Sequence, residues 1–205
     1  MSSKSDICNL ALSNIGISQW VANIETDRSN EAIVCNRWYD ITVDFTLRDY
    51  DWNFARRRLA LAALTTALPS EWDYVYAYPT DCLIIRRIQR EGFRKDTIAS
   101  RIPYEVGGET GMNADTRVIY TDEINAVVVY TKKITDPSLF DPHFVLALGY
   151  ALAANIALPL AVKPGYVDQM RNAYLQMVSN AAARNFEEAE EGPEPPSETE
   201  MARNL

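Results

Sequence analysis

The chain has 205 residues, 47% of them apolar, and a formal net charge of −8. That length suits one sizeable domain or a domain with a large insertion, and the apolar share is enough to fill a core. No apolar run approaches the roughly 18 residues of a membrane span, and the polar N-terminus is unlike a secretory signal, so an intracellular protein with no membrane partner is expected.

The charge is unevenly spread. Residues 187–205 hold seven acids and one base, Arg203, which leaves 21 of the 28 acids and 19 of the 20 bases on residues 1–186. A body so close to neutral lacks the basic footprint needed to wrap nucleic acid tightly. Cys8, Cys35 and Cys82 are scattered and form no CxxC pair, so they read as buried reduced thiols rather than as ligands or a disulfide. No metal or other cofactor is expected.

In chain order, Ser5 is placed to cap a first helix that runs to about Ile15, with Ile7, Leu10, Ala11 and Ile15 on one face and Gly16 as its stop. After a loop through Trp20 and Ile24, Thr26 or Asp27 is expected to cap a longer helix over residues 29–49. Its apolar residues form two stripes, Ala32–Cys35–Tyr39–Val43 and Val34–Trp38–Ile41–Phe45. A helix apolar on two sides needs neighbours on two sides, from its own chain or from a second subunit.

The run Asp49 to Leu61, DYDWNFARRRLAL, ends that pattern. Tyr50, Trp52 and Phe54 alternate with polar residues with period two, and Arg56, Arg57 and Arg58 follow at once. Residues 57–135 then read as an inserted β module, with strands expected over 57–64, 83–90, 94–99, 117–121 and 126–134. Residues 76–81 are expected to form a turn held by Pro79 and Asp81. Residues 105–115, with Gly107, Gly108 and Gly111, are expected to form a mobile loop.

Helix is expected again after Asp136-Pro137. Ser138 or Asp141 would cap an apolar helix over 144–158, whose many small residues place it at the centre of a bundle, and Pro159 ends it. A last helix spans 166–186, and the Glu- and Pro-rich remainder is expected to be disordered in isolation. The expected fold is α+β. An antiparallel bundle of about four helices (1–56 and 136–186) carries an inserted sandwich- or barrel-like β module (57–135) and a flexible acidic tail (187–205).

Four segments, in order, carry a family resemblance: NLALSNIG (9–16), RDYDWNFAR (48–56), YAYPTDCLII (76–85) and DPSLFDPHFVLALGYALAANIALPL (136–160). Over residues 5–186 the chain resembles the tail tubular protein A family, the head-to-tail adaptors of short-tailed bacteriophages. The resemblance implies a structural protein, not an enzyme. It further implies that the chain is made in the host cytoplasm and carried in the virion neck as a twelve-subunit ring beneath the portal. Such a ring extends the channel for double-stranded DNA, without sequence-specific binding, and offers a platform to the tail nozzle protein. Phe186, Met201, Arg203 and Leu205 are then expected to meet the portal, and the loop of Gly107, Gly108 and Gly111 to meet the nozzle or a neighbouring subunit. Trp52 and Phe54 are expected to hold the junction between helices and β module.

Residues 56–101 hold nine bases against five acids. Arg86, Arg90 and Arg94 are candidates for DNA or subunit contacts. Simple strand alternation puts Arg86 and Arg90 on one face and Arg87 on the other. Two other function classes stay open at the residue level: a carboxylate-dependent hydrolase and a nucleic-acid-binding accessory protein. Against catalysis, His143 lies at a helix start without a nucleophile in its segment. Asp49 and Asp51 read as capping and solvated groups. Gly107 to Gly111 lacks the lysine of a phosphate loop.

Overall fold

The computed structural model describes residues 2–65, 71–90, 102–110 and 115–187. The fold is α+β, with four α-helices and two three-stranded antiparallel sheets among the described residues.

Helix α1 spans Lys4–Asn14 and is capped by Ser3 rather than Ser5, through a capping box in which Ser3 and Asp6 satisfy each other's backbone N–H groups. Ser5 instead accepts the N–H of Ile24 and ties down the following loop. Helix α2 spans Asn30–Asp49. Its cap is Ser29, not Thr26 or Asp27, and Asp27 holds that cap by accepting the Ser29 N–H. Helix α3, Pro142–Ala157, is capped by Asp141 and starts earlier than periodicity suggests, because proline suits the first helical position. Helix α4 runs over Gly165–Glu187.

Helix α3 packs against each of the other three, and ten of its residues are buried. Its small residues permit this. A Cβ on Gly149 would lie 2.8 Å from Leu10 Cδ2 of α1, so the glycine sets the approach of the two helices.

Between α2 and α3 the chain builds β1 (Arg56–Ala60), β2 (Tyr74–Ala77), β3 (Cys82–Gln89), β4 (Tyr104–Thr110), β5 (Asp115–Thr121) and β6 (Val127–Lys132). One sheet has the order β1-β6-β3 and the other β2-β5-β4. Residues 61–64 carry the chain from one to the other: Leu61 N–H donates to Ala126 beside β6, and Leu64 N–H donates to Val75 in β2. Side chains of both sheets, including Tyr76, Ile119, Ile85, Ile88, Val128 and Tyr130, share one buried cluster.

Three expectations are corrected here. Residues 105–110 and 115 belong to β4 and β5, paired from Tyr104↔Thr121 to Thr110↔Asp115, and not to a loop. The glycines mislead because Gly107 serves packing: a Cβ there would lie 2.5 Å from the Tyr120 ring. Tyr76 sits in strand β2, opposite Ile119 and 2% exposed, and the turn forms only where Cys82 N–H reaches the Pro79 carbonyl. Strand β1 ends at Ala60 rather than at residue 64, where the chain changes sheet. The strand expected over 94–99 lies outside the described residues.

Candidate assembly surface

The seam between the helices and β module is aromatic. Trp52 is 2% exposed and stands edge-on to Tyr50 and to Phe144, with ring centroids 5.2 Å apart in both pairs. Its indole Nε1–H donates to the Thr46 carbonyl at 2.8 Å. Phe54 meets Phe140 at a tilt and Phe144 edge-on at the base of β1. Both residues therefore sit at the junction and belong to the helical core rather than to an open surface.

The arginines do not follow strand alternation. Strand β3 carries a bulge between Ile85 and Arg87, which places Arg86 opposite no residue of β6. Arg86 Nε donates to Thr131 Oγ1 at 2.8 Å, and Arg87 pairs with Val129, so both reach the same face of the sheet. Arg90 turns elsewhere, to Glu123 at 2.8 Å. The expectation that Arg86 and Arg90 share a face, with Arg87 opposite, is overturned by that extra residue.

Arg86 is also spoken for. Its Nη2 donates to the carbonyls of Leu47 at 3.0 Å and Tyr50 at 2.7 Å, and Asp51 lies 3.8 Å from its Nε. Burial lowers its pKa, opposed by Asp51, while Arg56 and Arg48 lower it further by charge repulsion. An arginine whose side chain is 15% exposed and committed to its own chain is a structural strut. Arg90 keeps 65% of its side chain exposed. Arg94 and Gly111 lie outside the described residues, as do Met201, Arg203 and Leu205, and of Phe186 only its place in the last turn of α4 is described. Gly107 and Gly108 sit within edge strand β4.

The open surface lies on the helices. The inner stripe of α2 (Ala32, Cys35, Tyr39, Val43) is buried, while the second stripe is split: Val34 is buried and Trp38 half-buried against the core, and Ile41 and Phe45 are 61% and 54% exposed, as is Ile33 at 47% outside either stripe. Phe45 touches Tyr174 of α4, with ring centroids 6.3 Å apart, and Tyr174 donates to Asp49 Oδ2. Next to Tyr174 stands Leu175, and at the end of α3 Leu158; both are about three-fifths exposed. Sequence periodicity finds Ile41 and Phe45 but misses Ile33, Leu175, which stands off the apolar face of α4, and Leu158, which stands just past the last helical residue of α3.

Other chemistry is quiet. All three cysteines are free and buried. His143 lies 3.5 Å from the Asp141 carboxylate that caps its own helix. Among the described residues no group of three His, Cys, Asp or Glu side chains is placed to hold a metal ion, and no helix is long and apolar enough to cross a membrane. Compared with known protein families, the chain matches none of their models, and no curated protein matches it in sequence.

Proposed function

We propose that the chain is a structural head-to-tail adaptor of a short-tailed phage particle, forming a ring beneath the portal and above the tail nozzle. The observation that carries this reading is the outer side of α2. A helix whose own chain covers Val34 and Trp38 but leaves Ile41 and Phe45 of the same stripe open has surface to give to another subunit, and apolar patches of this kind mark interaction sites. The family resemblance supplies the partners: about twelve copies of the chain, the portal, the nozzle, and duplex DNA passing through the lumen.

The near-neutral body suits a channel through which DNA slides, since phosphate is gripped by concentrated positive charge. Arg90, its side chain 65% exposed though paired with Glu123, remains the basic side chain to test for DNA or neighbour contact. The C-terminal residues Met201, Arg203 and Leu205, with Phe186 before them, are assigned to the portal.

Mass measurement of the chain with and without the portal ring of its own particle tests the assembly. A complex of one portal ring with about twelve copies is expected, and a chain that stays apart from the portal would refute the adaptor reading. Deleting residues 187–205 is expected to abolish docking while leaving the thermal midpoint unchanged. Normal docking by the truncated chain would remove the tail from the portal contact.

A further inference from the structure

Helices α1 and α2 meet at two points one turn apart. Lys4 of α1 sets its ammonium 4.9 Å from the centroid of the Tyr39 ring on α2, and 3.8 Å from the carboxylate of Asp40 beside it. Four residues forward on α1 stands Cys8, and four residues back on α2 stands Cys35. Residues four apart share one face of a helix, so antiparallel helices that touch at Lys4 and Tyr39 touch again at these two positions. The thiols of Cys8 and Cys35 are accordingly hydrogen-bonded to each other.

The pair is sealed. Both residues are 0% exposed and belong to the helical core. Their mutual hydrogen bond, and then burial, push the Cys8 thiol far above its ordinary pKa. The thiolate is the form that attacks a disulfide, so the closed fold keeps the pair reduced, and exchange waits for α1 to lift from α2. Cys82 stands apart: it lies in β3, is hydrogen-bonded to Tyr78 Oη at 3.2 Å and packs in the core of the β module.

Resting on the adaptor reading, which carries the chain from a reducing cytoplasm into a released particle, we propose that Cys8 and Cys35 stay reduced during assembly and close to a disulfide in the released particle, locking α1 to α2. The oxidant is a small-molecule disulfide such as glutathione disulfide. One cysteine, its proton given up, attacks a glutathione sulfur, which forms a mixed disulfide and releases one glutathione. The other cysteine attacks the protein sulfur of that bond and releases the second. Two protein thiols lose two electrons and two protons, and the oxidant gains both as it becomes two glutathiones. The link closes the chain around the loop of residues 15–29 between the two helices, and so restrains the unfolded state as well.

The first arm of the test treats the purified, reduced full chain with glutathione disulfide. Loss of two of its three thiols and a Cys8–Cys35 peptide in the digest are expected. The thermal midpoint is expected to rise by roughly 5–10 °C and to return on reduction with dithiothreitol. Cys8→Ser and Cys35→Ser are each expected to remove both the link and the rise. A chain that keeps three thiols, takes up glutathione without linking, or links through Cys82 overturns the pair. The second arm opens released particles in denaturant with an alkylating reagent. The linked peptide is expected there, and not in chain alkylated inside unlysed cells. Alkylated Cys8 and Cys35 in released particles overturn the lock and leave the adaptor reading standing. Absence of the chain from the particles overturns the adaptor reading and the timing that rests on it, while the first arm still decides the thiol pair.

Discussion

Arg86 of β3 donates at 2.7 Å to the main-chain carbonyl of Tyr50, the residue that ends α2. With its second bond to the Leu47 carbonyl, this strand side chain closes the last turn of a helix in the other half of the molecule. The final carbonyls of a helix have no partner within it and need one from outside. Lys133, just past β6, adds an ion pair to Asp44 at 2.7 Å on the same helix. Together these bonds fix the β module against α2.

Replacing Arg86 by Met removes the donors and leaves buried carbonyls unpaired, a loss of about 2–4 kcal/mol in denaturant unfolding. Arg86→Lys, with a point charge in place of a planar fork, is expected to recover only part of it. A variant Arg86→Met as stable as the natural chain would show that water replaces the guanidinium at no cost.

The helices were legible because their evidence is local: period, caps and breakers all lie in the segment concerned. Even there the caps shifted, since Ser3 and Ser5, or Asp27 and Ser29, offer the same chemistry two residues apart and only geometry chooses. The β module was legible in part. Gly107 looks like a loop residue until Tyr120 is seen to lie over it, and that contact joins different strands. The bulge at Arg86 has no sequence signature, yet it decides which arginines share a face. The open apolar surface was half legible: Ile41 and Phe45 showed in the α2 periodicity, but that Val34 and Trp38 of the same stripe are covered depends on how the helices pack.

The two neighbouring glycines of β4 should separate packing from flexibility. A Cβ on Gly107 would collide with the Tyr120 ring, whereas one on Gly108 meets nothing within 4 Å. Gly107→Ala is expected to cost about 1–3 kcal/mol, the range for an overpacked site. Gly108→Ala is expected to be neutral or to stabilise by about 0.5 kcal/mol through the unfolded chain. Urea unfolding of both variants decides the matter, and equal effects would refute the packing role of Gly107.

Stability should fall at both ends of the pH scale, for different groups. Asp6, Asp27 and Asp136 hold pKa values below the usual carboxylate range because each accepts backbone N–H bonds, chiefly from Ser3, Ser29 and Ser138. A depressed folded pKa gives stability that is full above the unfolded value near 3.8 and is lost as pH falls through the folded value. Burial pushes Tyr78 and Tyr130 up to about 12, helped by hydrogen bonds to Cys82 and Asp81, and pushes Tyr174 higher still. A raised folded pKa gives stability that is full below the unfolded value near 10 and is lost as pH rises toward 12. Thermal midpoints are therefore expected to hold steady from about pH 5 to 9, dropping below about 4 and above about 10. A midpoint unchanged down to pH 2 would show that the three capped carboxylates add nothing to the fold.

Trp52 allows the contributions of shape and hydrogen bonding at the junction to be separated. Its ring fills the space between Tyr50, Phe54 and Phe144, and its Nε1–H serves the Thr46 carbonyl inside α2, where Thr46 Oγ1 in turn donates to the Thr42 carbonyl. Trp52→Phe keeps an aromatic ring in place but orphans the Thr46 carbonyl, an expected cost of about 1–3 kcal/mol. Trp52→Ala also empties the site, and a total of about 3–5 kcal/mol is expected. If the junction transmits stability between helices and β module, both variants will unfold in a single transition at lower denaturant. A split into two transitions, with the strands melting apart from the helices, would show that the aromatic seam couples units able to fold separately.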